Sequence, residues 1–207
     1  MSIYALKPKF QALLRPLVRS LHAAGVTANQ VTLAACAISV ALGLWLFLAP
    51  VPPRAFLLLP LWLFLRMALN AIDGMLAREF GQQSKLGAYL NELTDVIADA
   101  ALILPFAAIS PFAQGDGPLW LATLALLAAL SEFAGALGVT VGASRRYDGP
   151  MGKSDRAFVL GALGLWFGLA GTLPAWITWI APALCALVAW TIARRVRNGL
   201  REAAAKG

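Results

Sequence analysis

The stretch 28–49, A-N-Q-V-T-L-A-A-C-A-I-S-V-A-L-G-L-W-L-F-L-A, carries no charged side chain. Its length matches the roughly twenty residues an α-helix needs to cross the hydrocarbon core of a bilayer. Inside that core no water satisfies backbone N–H and C=O groups, so a crossing segment is a helix or part of a closed barrel. Further apolar stretches recur at 55–80, 84–109, 119–142, 156–171 and 174–193. The composition agrees: 60% of the 207 residues are hydrophobic and 13% charged, with mean hydropathy +0.73. The expected fold is an all-α polytopic membrane protein with six transmembrane helices in one domain, 25–207. Two separate soluble domains are excluded.

Residues 1–24 read differently. Ile3, Leu6, Phe10, Leu13, Leu14, Leu17 and Leu21 form an apolar stripe at helical spacing, with Lys7, Lys9, Arg15 and Arg19 off or beside it. Such a helix lies in the membrane interface with its basic face toward anionic headgroups. The same segment lacks a continuous apolar core before a small-residue cleavage site, so no cleavable signal peptide is expected. Thr27 is placed to cap the first span. Cys36 and Cys185 each lie in an apolar span, and no disulfide is expected from them.

Polar residues are expensive inside such helices, and they cluster between 66 and 99. Arg66, Asn70, Asp73 and Ala77 share one face of the second span; Gly87, Asn91, Asp95 and Asp99 step by four along the third. The connection near Gly81 is short, so the two helices are expected to be antiparallel neighbours. At ~1.5 Å rise per residue, Asp73 and Asn91 then sit at similar depth, with Asn70 and Asp95 one level further in. Gly74, Ala77 and Gly87 leave room beside them. Arg66 needs a carboxylate, and Asp99 and Glu132 are the candidates.

The pattern Asn70-x2-Asp73-Gly74-x2-Ala77-Arg78-x8-Gly87-x3-Asn91-x3-Asp95 resembles the signature of the CDP-alcohol phosphotransferase (CDP-alcohol phosphatidyltransferase) family, D-x2-D-G-x2-A-R-x8-G-x3-D-x3-D. Every spacing agrees, as do six of the eight fixed identities; the first and third aspartates are Asn here. The resemblance implies that Asp73, Asp95, Asn70 and Asn91 stand where the family binds divalent cations, Mg²⁺ or Mn²⁺. It implies Asp95 as the catalytic base, and Gly74, Ala77, Arg78 and Gly87 at the nucleotide donor. Asn29 joins them, because Thr27-Ala28-Asn29-Gln30-Val31-Thr32 is similar to the T-P-N-x-x-T opening of many members. Asn offers a neutral carbonyl oxygen but neither charge nor proton acceptance. Two motif charges remain where the family has four, and Asp99 or Glu132 is available to compensate. The resemblance alone implies a homodimer.

The loop 142–156 is the most polar in the chain. It carries Arg145, Arg146, Lys153 and Arg156, expected to bind an acceptor's or a donor's phosphate. With six spans, fifteen of the seventeen Lys and Arg residues fall on one side, together with both termini and the mouth of the motif. Basic loops face the cytoplasm. The expected location is a bacterial inner membrane, and the net charge of +7 reflects orientation and phosphate affinity, not nucleic-acid binding.

The sequence thus reads as an enzyme moving a phosphatidyl group from a CDP-alcohol, with CDP-diacylglycerol the expected donor, to a polar acceptor alcohol, phosphorylated or not, with CMP released, in phospholipid biosynthesis. The alternative is a catalytically silent lipid- or nucleotide-binding protein of the same fold. A transporter is disfavoured, since no inverted repeat is visible.

Overall fold

A computed structural model describes residues 6–206. Among them are seven α-helices and no strand: α1 (Leu6–Ala23), α2 (Ala28–Leu48), α3 (Leu58–Glu79), α4 (Lys85–Ile103), α5 (Gly117–Leu137), α6 (Lys153–Ala170) and α7 (Ile180–Ala204). Short 3-10 turns precede α3 and α7 and follow α4 and α5. Ile3 of the expected N-terminal stripe lies outside the described residues, as do the side chains of Leu6 and Lys7.

Four helical segments, Ala28–Leu48, Pro53–Glu79, Gly117–Val141 and Ala175–Ala204, are long and apolar enough to cross a membrane. The chain is an all-α polytopic membrane protein. Leu44, Leu61, Phe64, Leu126, Phe133 and Leu169 are exposed on its outer surface, as lipid solvation allows and water does not.

Two ends can be told apart. At one, the turn 24–27, the connection 80–84, the loop 142–152 and the C-terminal part of α7 come together. Gln82 accepts from the Ala28 N–H at 2.7 Å, and Glu202 accepts from the Ser144 N–H at 3.0 Å. Trp45, Trp120, Trp166, Trp176 and Trp179 are all exposed near the other end, the arrangement of an aromatic belt.

Thr27 caps α2: its hydroxyl accepts from the Gln30 N–H, and the Gln30 side chain accepts from the Thr27 N–H. α7 runs eleven residues past the expected end of the last span, to Ala204, so Arg194, Arg195, Arg197 and Arg201 are helical. Its register turns Arg195 inward, where the guanidinium donates to the Ser131 and Asp148 carbonyls.

The packing departs from the expectation that α3 and α4 lie directly against each other. α2 packs along both α4 and α3, while the α3 and α4 backbones stay apart and meet through the Arg66 side chain, which reaches Asp95 and Asp99. Gly43 makes this possible: a Cβ there would run into the Ala101 carbonyl, so only glycine lets α2 approach α4 this closely. Gly43→Ala should therefore force the two helices apart at a cost of about 1–3 kcal/mol. Thermal unfolding in detergent would register it as a lowered midpoint; an unchanged midpoint would mean that the crossing is loose.

Two apolar clusters hold the bundle. The larger joins Leu59, Leu63, Leu102, Phe106, Leu124, Phe167, Leu184 and Val188 from five helices and their flanking turns. The smaller places Val18 of α1 over Val31, Ile72, Met75 and Leu76, clamping α1 onto α2 and α3. Arg15 adds a bidentate pair with Glu79, with donor distances of 3.0 and 2.9 Å.

Candidate active site

Because α3 and α4 each pack on α2 with their backbones apart, the motif residues border an open cleft instead of meeting across a closed hairpin. The cleft, about 450 Å³, is lined by Asn29 and Thr32 from α2, Asp73, Gly74, Ala77 and Arg78 from α3, Gln82 to Ser84 from the connection, and Gly87, Asn91 and Glu92 from α4. The N-termini of α2 and α4 both open onto it. Unpaired amides and the helix dipole make such ends favourable places for phosphate.

The two glycines have defined jobs. A Cβ at Gly74 would stand 2.8 Å from an Arg78 guanidinium nitrogen, so glycine lets that side chain fold back along its own helix. A Cβ at Gly87 would stand 2.9 Å from Asn29 Oδ1 and 3.0 Å from Ser84 Oγ. Glycine there opens the space into which Asn29 and the α4 cap project.

Asp73 is buried and accepts from Thr32 Oγ1 at 2.7 Å. Thr32 and Gln82 were not among the expected site residues. Thr32 lies within the Thr27–Thr32 opening and is one turn beyond the N-terminal residue of α2, which places it in the cleft. Gln82 gave no signal, since a turn glutamine has no periodic position to read.

Asn70 faces elsewhere. It lines a second cavity, about 720 Å³, between α3 and α6, with Arg66, Lys153 and Ser154 at its polar end. Pro60, Leu63, Phe64, Met67, Phe158 and Leu165 form the rest of that wall. Two cavities of opposite character thus flank α3.

Asp95 is held between them. Arg66 Nη2 donates to its backbone carbonyl at 3.2 Å and to Oδ1 at 3.3 Å, and Lys153 Nζ pairs with the same carboxylate. Arg66 itself is anchored by Asp99, Nη1 to Oδ1, at 2.6 Å. Asp99 is one of the two partners that the sequence suggested. The other, Glu132, pairs with Arg156, Arg195 and Arg145 instead.

The basic loop is arranged differently from expectation. Arg156 is turned into the bundle, 2% exposed, and donates to Asp99, Glu132, Ser131 Oγ and the Met151 carbonyl. Arg145 grips Glu92 at 2.6 and 2.7 Å and reaches Glu132 at 3.5 Å. Arg146 binds Asp148 at 2.7 and 2.9 Å, and its other terminal nitrogen binds Glu202. Those hydrogen bonds from Arg146 hold the Asp148 carboxyl below the usual carboxylate range. The reason is electrostatic: a cation in a partly desolvated place needs a counter-charge, and this chain supplies carboxylates within reach of every one.

The donor set suits a hard divalent cation in part. Asp73 offers a carboxylate and Asn91 an amide oxygen to the cleft, with the Asp95 carboxylate beside it, the ligand type Mg²⁺ and Mn²⁺ take, while Asn70 lines the other cavity. Among the described residues no three His, Cys, Asp or Glu side chains come together as a cage, as expected where Asn fills two positions.

With this geometry in view, comparison with known proteins is decisive. The CDP-alcohol phosphatidyltransferase family model matches residues 25–193. The chain belongs to that family. Its members are CDP-alcohol phosphotransferases that use a divalent cation. The Inner membrane protein YnbA of Escherichia coli is 46% identical over 203 residues, covering 97% of both chains. The phosphatidylinositol phosphate synthase of Mycobacterium tuberculosis is 32% identical over 118 residues, 57% of this chain and 52% of that protein. The fold is that of the same synthase, PgsA1, solved with manganese and citrate: TM-score 0.73 at 22% identity, covering 89% of this chain and 88% of that one. A further PgsA1 structure, with CDP-DAG bound, gives a TM-score of 0.72.

Proposed function

We propose that this protein transfers a phosphatidyl group from CDP-diacylglycerol to the hydroxyl of a polar acceptor alcohol and releases CMP. The observation that carries this reading is the pair of cavities about α3. The polar one offers two helix N-termini, Arg78 and Asn29 to a nucleotide and its phosphates. The apolar one is walled by Pro60, Leu63, Phe64, Met67, Phe158 and Leu165, as acyl chains require. A donor that is nucleotide at one end and diacyl lipid at the other calls for one surface of each kind.

The reaction is an in-line displacement. The acceptor oxygen attacks the phosphatidyl phosphorus, its proton passes to Asp95, and the bond to the CMP oxygen breaks. Arg66 positions Asp95, and Arg78 holds phosphate oxygens. Asp73 and Asn91 in the cleft, with Asp95 beside it, would hold a divalent cation, and Asn70 would join them only by turning from the other cavity; such a cation would neutralise charge on the pyrophosphate. All six helices α2–α7 span the bilayer in this reading, and α1 lies on its surface. Both termini and the polar cleft face the cytoplasm of a bacterial inner membrane, where the basic residues gather. A homodimer is the expected assembly.

CMP release from CDP-diacylglycerol in liposomes, titrated with Mg²⁺ or Mn²⁺, tests the proposal. With two motif carboxylates, activity should need more Mg²⁺ than it does in a four-aspartate relative. Asn70→Asp combined with Asn91→Asp should tighten metal binding by on the order of tenfold or more, chiefly through Asn91, which lines the partly desolvated cleft with Asp73. Unchanged metal affinity in that variant would place the cation elsewhere. Donor binding without CMP release, across metals and acceptors, would favour a silent binding protein instead.

A further inference from the structure

We propose that the acceptor taken at this site is an uncharged polar alcohol, not a phosphate monoester, and that Glu92, through its grip on Arg145, is the residue that turns the phosphate away. This rests on the transfer reading above and names its second substrate.

Glu92 lines the polar cleft and is three residues before Asp95 on α4, so the two carboxylates share a face. An acceptor hydroxyl that gives its proton to Asp95 must pass beside Glu92. Recognition of a phosphate monoester needs cationic donors with no other commitment, best as a bidentate fork. None of the four loop cations offers one. Both oxygens of Glu92 are on Arg145, at 2.6 and 2.7 Å. Arg146 is taken by Asp148 and Glu202. Arg156 lies between Asp99 and Glu132. Lys153 is on Asp95 itself.

The local charge leads to the same conclusion. Arg66, Arg145, Lys153, Arg156 and Arg195 are each already paired with Glu92, Asp95, Asp99 or Glu132. A dianion entering this paired, partly desolvated cluster must break an ion pair and strand a carboxylate beside itself. A hydroxyl asks for less. Arg145 keeps one donor, the buried Nε, with no partner. One N–H serves a neutral oxygen but does not satisfy the three oxygens of a phosphate.

The test compares CMP release with uncharged polyols, glycerol and inositol, against release with their monophosphates. The wild-type protein should favour the uncharged member by at least tenfold in kcat/KM. Glu92→Gln should move that ratio toward the phosphate by a similar factor, and adding Arg145→Ala should cancel the change. A parallel measurement needs no turnover: metal-free protein is titrated with inorganic phosphate, read by phosphorus NMR line broadening. Glu92→Gln should bind phosphate at least tenfold more tightly than wild type, and the double variant should lose that gain. If no acceptor yields CMP but the phosphate titration behaves this way, the transfer reading fails and the assignment of Glu92 holds. A wild-type preference for the monophosphate, or wild-type phosphate binding abolished by Arg145→Ala, overturns it.

Discussion

Asp95→Asn should lower CMP release by about 10²–10⁴-fold, the usual contribution of a positioned general base. The substitution keeps the shape of the side chain and its ability to accept from Arg66, so the surrounding structure stays in place. What it removes is proton acceptance. CDP-diacylglycerol binding should therefore change far less than turnover, because the proposed nucleotide contacts, Asn29, Arg78 and the two helix N-termini, do not include Asp95. Single-turnover CMP release beside equilibrium donor binding separates the two. Turnover within tenfold of wild type would remove Asp95 from the role of base. Arg66→Met is the companion variant. It leaves the Asp95 carboxylate but takes away the group that orients it, and its loss should appear mainly in kcat.

Asp99→Ala should be the most damaging single change to the fold. Asp99 Oδ1 accepts from Arg66 at 2.6 Å, and Oδ2 accepts from Arg156 at 2.8 and 3.3 Å. All three side chains are buried. Without the carboxylate, Arg66 keeps only Asp95, at 3.3 Å, and Arg156 only Glu132, at 3.1 Å, with little solvent to screen them. Breaking a buried pair typically costs about 3–5 kcal/mol, because both guanidinium groups stay desolvated with less counter-charge. For a chain of this size that is a fall of roughly 10 °C in the unfolding midpoint. A variant replacing the whole group, Asp99→Leu with Arg66→Met and Arg156→Met, should be more stable than Asp99→Ala alone. It leaves Glu132 with Arg195 and Arg145 as partners. It should nevertheless be inactive, since Asp95 loses its support. A midpoint for Asp99→Ala within a degree or two of wild type would mean that water reaches the cluster.

These two carboxylates, one turn apart on α4, show what a sequence can and cannot reveal. Both appear as part of the same four-residue step, Gly87, Asn91, Asp95, Asp99. Periodicity places them on one face but says nothing about what lies opposite. In the structure one lies beside the cleft and the other is enclosed by two arginines. The basic loop poses the same difficulty. Arg145, Arg146, Lys153 and Arg156 look alike as a cluster of cations, and phosphate binding is the natural expectation. Their partners, Glu92, Asp148, Glu202, Asp99 and Glu132, come from α4, α5, α7 and the loop itself, and no local pattern links them.

The sequence by itself determined the class of fold, the family and the identity of the motif residues. Each of these depends on spacing along a single helix or on the length of an apolar run. Backbone hydrogen bonding in a bilayer leaves the helix as the answer to such a run, and 3.6 residues per turn decides which side chains share a face. The helical N-cap at Thr27 was legible for the same local reason. Only the tertiary structure decided that α2 packs along both α3 and α4 and holds their backbones apart, that Asn70 looks into a different cavity from Asp73, and that each loop cation already has a carboxylate. Those outcomes depend on how closely helices distant in sequence can approach, here on Gly43 against the Ala101 carbonyl, and on charges pairing across the bundle because the membrane interior gives them nowhere else to go.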